Sequence, residues 1–175
     1  MLINIRAFNK HEFEWLMEIY NESNIKNIKH FYPKESDPIK GLEQIKKDHV
    51  SYIENSFLTL SNTNYFILSE EDEWVSALRF YEIDTGKFYI EALETHPEKR
   101  FKGYGSQLIK SIIEFLKCLG PFEMHSFTYK QNEQSLKTHF SCGFKMSGEK
   151  AFDFADNQYV EDDDAIALVY RYCKS

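Results

Sequence analysis

The chain has 175 residues, enough for one domain with a sizeable core and too few for two comfortable ones. A hydrophobic content of 42% and an aromatic content of 16% exclude a disordered tail and favour a folded globule. With 21 basic and 28 acidic residues the net charge is −7, which disfavours nucleic acid as a partner and is compatible with a cationic substrate. We expect a single domain over residues 1–175.

The cysteines and the apolar runs indicate the cellular compartment of the protein. Cys118, Cys142 and Cys173 form no C-x-x-C pair, so reduced intracellular thiols are the default. The stretch MLINIRAFNK lacks the pattern of a signal peptide, and no apolar run approaches the roughly 18 residues of a membrane span. The acidic run near residue 162 does not have the spacing of a calcium loop. We expect a cytoplasmic protein that uses neither a membrane nor a metal ion.

The first elements along the chain are a strand and two helices. Residues 2–8 alternate apolar and polar side chains, which predicts a strand. Residues 10–23 carry apolar side chains at helical spacing and predict a helix. An aromatic loop follows over residues 29–36. Asp37 and Pro38 then have the character of an N-cap and a first helical residue, and predict the start of a long second helix.

From residue 65 onward the pattern changes to strands and two further helices. Three runs rich in β-branched and aromatic residues predict a meander, and a glycine-containing turn and an amphipathic helix follow it. The predicted strands of this part are residues 65–70, 73–83, 86–95, 122–129, 144–154 and 165–173, with a short helix over residues 132–142. The order β-αα-βββ-α-β-α-ββ predicts the α/β (α+β) class with a mixed sheet.

Two glycines stand at the start of the amphipathic helix, where glycine has poor helix propensity. A helix start carries free N–H groups and the positive end of the helix dipole, so Gly103 and Gly105 would let an anion approach the backbone closely. Arg100 and Lys102 add positive charge beside this turn. The P-loop pattern is absent, and Leu108 stands where a dinucleotide fingerprint needs its third glycine. The remaining readings are another phosphate ligand or a turn that only tightens packing.

The motif R-x-x-G-x-G at residues 100–105 resembles the acyl-coenzyme A pyrophosphate loop of the GNAT N-acetyltransferase superfamily. A second block, NEQSLKTHFSCGF, is similar to the family's downstream block through Asn132, Gly143 and Phe144. The resemblance implies a mostly antiparallel GNAT-type sheet flanked by helices. It also implies direct transfer of an acetyl group from acetyl-coenzyme A to a primary amine. The alternative is a catalytically inactive coenzyme A-binding sensor or partner protein.

The resemblance also implies which residues bind the co-substrate. The backbone of residues 93–95 would pair with the pantetheine arm as an added strand does, the glycine turn would hold the pyrophosphate, and an asparagine of the second block would reach the cofactor. The cofactor-binding residues implied in this way are Leu93, Glu94, Thr95, Arg100, Phe101, Lys102, Gly103, Tyr104, Gly105, Ser106 and Asn132.

The implied proton donor departs from the family pattern. His139 stands where the family usually has the tyrosine that acts as general acid. A histidine with an ordinary pKa of about 6.5 suits proton transfer at neutral pH. Tyr129 and Tyr104 are the alternatives for this role. The simpler interpretation is that His139 lies on a helix edge and has no catalytic role.

The predicted proton acceptor is Glu91, since similar enzymes place a glutamate on this strand. Strict alternation would put Glu91 and Glu94 on opposite faces of the strand. A carboxylate partly buried beside the cofactor would have a raised pKa and would accept the ammonium proton. His125 on the next strand is the second choice.

The acceptor is expected to be an amine, either a small molecule or a peptide or protein amino group, and a positively charged one suits the acidic chain. Its binding walls in this fold come from the first two helices and the terminal hairpin, and Phe31 and Tyr32 would suit an aromatic wall. The sequence does not reveal the oligomeric state, although homodimers are common among similar proteins. The identity of the amine lies in loops that have no readable code.

Overall fold

The computed structural model describes residues 1–173, so the last two residues of the predicted domain lie outside the described part. The five α-helices described are α1 (Lys10–Ile19), α2 (Asn21–Phe31), α3 (Pro38–Asn55), α4 (Tyr104–Lys117) and α5 (Glu133–Ser141). The strands are β1 (Leu2–Ile5), β2 (Thr63–Glu70), β3 (Glu73–Asp84), β4 (Lys87–Thr95), β5 (Phe122–Tyr129), β6 (Lys145–Met146), β7 (Phe152–Asp153), β8 (Gln158–Tyr159) and β9 (Ala165–Tyr172). Over residues 1–173, no helix has both the length and the apolar character to cross a membrane.

Seven strands form one sheet in the order β1-β2-β3-β4-β5-β9-β6, and β7 and β8 form a separate hairpin. Every pair in the large sheet is antiparallel except β4 and β5, which run parallel. That parallel pairing joins residues 87–89 to residues 123–125 and then stops. Beyond it, residues 90–95 of β4 and 126–129 of β5 face each other without pairing, so the sheet opens at its centre.

Helices cover both faces of the sheet. The face under α4 and α5 buries an apolar stripe of α4 against β2, β3 and β4, with Leu108, Ile109 and Ile112 fully buried. The other face buries Leu16 and Ile19 of α1 against aromatic residues of β2 and β3. Because α4 is anchored along its whole apolar face, the turn at its N-terminus has a rigid support.

The helix starts follow the capping signals of the sequence. Asp37 caps α3 as predicted, with its Oδ1 accepting from the backbone N–H of Ile39 at 2.9 Å, and Pro38 is the first helical residue. Asn9 and Glu12 form a capping box that starts α1. Local side-chain chemistry therefore fixes where these helices begin.

The N-terminal helices differ from the prediction. The predicted helix over residues 10–23 is interrupted at Tyr20, which ends α1, begins α2 and has non-helical backbone angles. Tyr20 is only 4% exposed, so its ring is part of the core at this break, which the helical period does not reveal. The helix α2 then continues to Phe31, so residues 29–31 are helical, where a loop was predicted.

The C-terminal part also differs from the prediction. Residues 144–154 do not form one strand but the two short strands β6 and β7, separated by a turn in which Gly148 has φ 79°. Strand β6 pairs with β9 and extends the large sheet, whereas β7 pairs with β8. A glycine with positive φ breaks a strand in a way that apolar content alone does not reveal.

Candidate functional site

The opening between β4 and β5 leads into a cavity of about 680 Å³. Its walls are the separated ends of these two strands, together with side chains from α2 and α3. We call it the acceptor cavity. Aromatic residues form much of its surface, and its charged residues are Asp48, Arg79, Glu91 and Glu94, three carboxylates against one guanidinium. Such a volume suits a small molecule held by a few polar groups.

A second opening of about 350 Å³ lies at the N-terminus of α4, and we call it the cofactor cleft. The two openings share Leu93 and Glu94 of β4 and Asn132, the N-cap of α5. A ligand bound in the cofactor cleft therefore reaches the acceptor cavity along β4. Because residues 90–95 have no strand partner on the β5 side, their backbone is available to an extended ligand there.

The turn before α4 has the backbone of an anion site. Gly103 is left-handed at φ 84° and is the N-cap, and Phe101 has φ 63°. The first backbone hydrogen bond of the helix runs from Gln107 N–H to the carbonyl of Gly103 at 2.9 Å. The N–H groups of residues 104–106 therefore precede the helical ladder and point out of its N-terminus, with the positive end of the helix dipole behind them.

The space around Gly105 indicates what the missing side chain is for. Its φ is not positive, and a Cβ atom at this position would meet Thr95 Oγ1 at 3.4 Å and Leu93 Cδ2 at 3.6 Å, which are ordinary contacts. The protein's own packing therefore does not require glycine here. Gly105 and these neighbours border the cofactor cleft, so an added Cβ atom would lie at the wall of that cleft. Gly103 differs, because its positive φ by itself favours glycine.

Nearly all of the residues predicted to bind the cofactor lie together. The cofactor cleft is bordered by every one of them except Lys102, which is exposed beside it: Leu93, Glu94, Thr95, Arg100, Phe101, Gly103, Tyr104, Gly105, Ser106 and Asn132. The cleft also contains Ser23 and Lys26 of α2, which the sequence analysis missed. These two residues follow the helix break at Tyr20, and no motif marks them.

Two side chains of the cleft are already engaged. The guanidinium of Arg100 pairs with Glu22 of α2, lies 3.6 Å from Glu94 and donates to the carbonyl of Thr95 at 3.3 Å. Asn132 caps α5 by accepting from Ser135 N–H at 3.1 Å, which leaves its amide N–H₂ free to donate. Arg100 therefore ties α2 to the end of β4 while it borders the cleft.

The side chains of β4 stop alternating regularly between the two faces of the sheet where the strand borders the acceptor cavity. The β4 partners of Arg79 and Phe80 are Ala92 and Ile90, so Glu91 is an extra residue in a β-bulge. A bulge places two consecutive residues on one side of a strand and shifts every later residue to the opposite face. The period-2 pattern therefore does not hold across this position.

Because of the bulge, Glu91 and Glu94 lie on the same side of β4, and the expectation that they occupy opposite faces is wrong. Glu91 contacts Tyr52 of α3, and Glu94 accepts a hydrogen bond from Ser23 of α2. Both carboxylates border the acceptor cavity, and Glu94 also borders the cofactor cleft. Glu94 thus stands where the two openings meet.

The two carboxylates differ in their surroundings. Burial raises the pKa of Glu94, and the Ser23 hydroxyl and the Arg100 charge offset part of that rise. Glu91 instead forms an ion pair with Arg79 at 2.9 Å, in which both side chains are mostly buried, and it accepts from the Tyr52 hydroxyl at 3.3 Å. Glu91 is committed to this network, whereas Glu94 has the surroundings of a proton acceptor.

His139 borders the acceptor cavity but is only 2% exposed. Its Nδ1 lies 2.9 Å from the carbonyl oxygen of Ser135, so this nitrogen carries the ring proton and donates it. The Nε2 atom is sealed from solvent and has no partner in the described part of the chain. Burial lowers the pKa of His139, and its hydrogen bond to Ser135 offsets part of the effect. The ring is therefore neutral, with its one proton already engaged.

Of the other predicted residues, some lie at the acceptor cavity and one does not. Tyr129 and Phe31 border the acceptor cavity, and Tyr32 donates to Asp48 at the cavity's edge. His125 borders neither opening, and its Nε2 lies 3.0 Å from Glu123 Oε1. In residues 1–173, no group of three or more His, Cys, Asp or Glu side chains is arranged to hold a metal ion.

The family model described as the acetyltransferase (GNAT) family matches residues 15–144. The chain belongs to this family, which confirms the resemblance, the fold class and the prediction of an acetyl-coenzyme A-dependent N-acetyltransferase. Comparison with curated protein sequences gives no significant match.

Solved structures share the fold at low identity. The ribosomal-protein-S18-alanine N-acetyltransferase of Escherichia coli is 13% identical with a TM-score of 0.62, over 100% of this chain and 96% of the other. The spermidine N-acetyltransferase of Vibrio cholerae, in complex with CoA and spermine, is 15% identical with a TM-score of 0.61, over 97% and 95%. The N-acetyltransferase PseH of Campylobacter jejuni, in complex with acetyl coenzyme A, is 19% identical with a TM-score of 0.57, over 98% and 97%.

Proposed function

We propose that this N-acetyltransferase binds acetyl-coenzyme A in the cofactor cleft and transfers the acetyl group directly to a primary amine in the acceptor cavity. The observation that carries the proposal is the meeting of the two openings at Leu93 and Glu94, beside the unpaired edge of β4. Binding both reactants next to one another supplies the proximity that direct transfer needs.

The co-substrate is held by backbone more than by side chains. The pyrophosphate binds the N–H groups of residues 104–106, where the helix dipole and the glycines favour an anion. The pantetheine arm lies along residues 93–95 as an added strand, and the free amide N–H₂ of Asn132 donates to it. Lys26 and the exposed Lys102 add positive charge near the phosphates.

Glu94 is the better of two candidates for proton acceptor. The amine reaches the site as an ammonium ion and must lose a proton before it attacks the thioester. Glu94 borders both openings and has a raised pKa, whereas the predicted base Glu91 is held by Arg79 and Tyr52. We therefore assign the proton to Glu94, directly or through one water molecule.

The leaving thiolate takes its proton from a hydroxyl in this proposal. The predicted acid His139 holds its one ring proton against the Ser135 carbonyl, and its pKa is lowered by burial. Tyr129, at the open end of β5, borders the same cavity and is partly exposed. Tyr129 is therefore the preferred donor.

The cytoplasmic location and the homodimer stay predictions.

The proposal is tested by calorimetric titration with acetyl-coenzyme A, with ATP and NAD as controls, followed by a thiol-release assay on a panel of primary amines. We expect acetyl-coenzyme A alone to bind, with a Kd on the order of 1–100 μM, and at least one amine to release thiol. No binding would contradict the assignment of the cofactor cleft. Binding without thiol release from any amine would favour the inactive coenzyme A-binding alternative.

Replacing Ser23 with alanine is expected to move the acid limb of the kcat–pH profile to higher pH. The Ser23 hydroxyl donates to Glu94 and lowers its pKa, so its removal raises that pKa further and reduces the ionised fraction at a given pH. The measurement is kcat at saturating substrates across the pH range. Ser51→Ala, on the exposed surface of α3, is the control. An unmoved limb, or a shift to lower pH, would count against Glu94 as the base.

A further inference from the structure

The floor of the acceptor cavity contains an arginine that the mechanism above does not use. Arg79 of β3 donates from Nε to Glu91 at 2.9 Å and lies with Nη1 3.0 Å from His49 Nε2. The rings of Tyr20 and Tyr52 lie 5.8 Å and 5.5 Å from its guanidinium carbon, within cation–π range. The side chain is 14% exposed, so the guanidinium is held in one place by partners on several sides.

The hydrogen-bond donors of Arg79 are not all used. A guanidinium has five N–H groups, and the contacts with Glu91 and His49 account for two of them. Nη2 has no hydrogen-bond partner within residues 1–173, yet it is not among the polar atoms sealed from solvent. Arg79 borders the acceptor cavity. The free edge of the guanidinium therefore opens into that cavity.

The surrounding groups keep Arg79 charged and leave this edge free. Burial alone would lower the pKa of Arg79, but Tyr20 and Glu91 outweigh it and raise the pKa. His49 is neutral, since burial and the charge of Arg79 lower its pKa to about 3. Its Nδ1 lies 3.3 Å from the Asn24 Oδ1, which fixes the tautomer and leaves Nε2 as an acceptor for Arg79.

We propose that Arg79 binds a carboxylate of the acceptor, so that the substrates are amines that also carry a carboxylate, the amino acids and their analogues. This inference rests on the proposed function. A guanidinium edge matches the two oxygens of a carboxylate, which a single ammonium group does not. The ammonium of the same ligand lies toward Glu94, and the aromatic walls at Phe31 and Phe127 accommodate its side chain.

The charge of the cavity agrees with such a ligand. Three carboxylates against one guanidinium would by count alone favour a purely cationic amine. However, each of the three carboxylates already has a partner: Glu91 is paired with Arg79, Glu94 lies 3.6 Å from the Arg100 guanidinium, and Asp48 accepts from Tyr32 and Gln44. A zwitterion adds no net charge, and each of its two ends meets a group of opposite sign.

The test compares ligands that differ only by the carboxylate. Three pairs are titrated by calorimetry into protein saturated with coenzyme A: L-phenylalanine and 2-phenylethylamine, 4-aminobutanoate and propylamine, and glycine and methylamine. We expect the carboxylate to improve affinity at least about tenfold in one or more pairs, because a charge-assisted, two-point contact is lost without it. 1,4-Diaminobutane is the polyamine-like comparison and is expected to bind more weakly than the preferred carboxylate.

The Arg79→Lys variant makes the test specific. Lysine keeps a positive charge near Glu91 but loses the planar fork, so we expect affinity for the carboxylate ligand to fall about tenfold and affinity for its partner amine to change less than about threefold. Should this variant fail to fold, the double variant Arg79→Gln with Glu91→Gln removes the ion pair as a unit. Equal affinities within every pair, tighter binding of the diamine, or equal losses for both members of a pair would overturn the inference. Failure of the proposed function is seen separately, as absent acetyl-coenzyme A binding or absent thiol release.

Discussion

Replacing Gly105 with alanine is expected to weaken acetyl-coenzyme A binding at least about tenfold while the fold stays intact. The added Cβ atom fits among its protein neighbours, with Thr95 Oγ1 at 3.4 Å and Thr138 Cγ2 at 3.6 Å. It nevertheless takes up space in the cofactor cleft, where a phosphate must approach the N–H groups of residues 104–106. Alanine also has the better helix propensity, so the free energy of unfolding is expected to stay equal or to rise by up to about 1 kcal/mol.

The measurements are calorimetric titration with acetyl-coenzyme A and urea unfolding. The matched control is Gly148→Ala, at an exposed turn with φ 79° that borders neither opening. There the strain of a left-handed alanine is expected to cost about 1 kcal/mol without a change in cofactor affinity. Gly105→Ala is therefore expected to lose cofactor affinity without losing stability, whereas Gly148→Ala is expected to lose stability without losing cofactor affinity. Wild-type affinity in Gly105→Ala would mean that the glycine serves packing or folding and not the ligand.

The sequence was sufficient to predict the parts of the fold and the site that depend on residues close together in the chain. The glycine turn before α4 is a contiguous motif, since Gly103 is needed for its positive φ and Gly105 for its missing side chain. The cap at Asp37 and the strand over residues 122–129 are likewise set by near neighbours in the chain, and they agree with the structure. Signals of this kind survive without tertiary information because the residues that matter are adjacent.

The acceptor cavity depends on contacts that are distant in sequence, and these could not be predicted. The helix break at Tyr20 has no signal in the helical period, and Ser23, just beyond it, donates to Glu94, which lies 71 positions later. The bulge at Glu91 reverses the faces of β4, and strict alternation gave the wrong result for that reason alone. Arg79 is one of four charged residues in β3, and only the packed structure relates it to His49.

Glu94→Gln is expected to lower kcat by about 10²–10⁴-fold with little loss of stability, because the amide cannot accept the ammonium proton. Glutamine is nearly isosteric and can still accept from Ser23 and Arg100. The acid limb of the kcat–pH profile should also disappear in this variant. The measurements are kcat across the pH range with a carboxylate-bearing amine as acceptor, and urea unfolding.

Glu91→Gln is the matched comparison, and the same two measurements separate the carboxylates. It removes the partner of Arg79 from a pair in which the two side chains are only 14% and 16% exposed. Breaking such a pair leaves an uncompensated charge and is expected to cost about 3 kcal/mol of stability, with a smaller effect on kcat than Glu94→Gln. A larger loss of kcat in Glu91→Gln, measured where both proteins are folded, would return the role of base to Glu91. The two carboxylates share one side of β4, so their division of labour rests on their partners: a charged pair fixes Glu91 in place, whereas burial leaves Glu94 able to take up a proton.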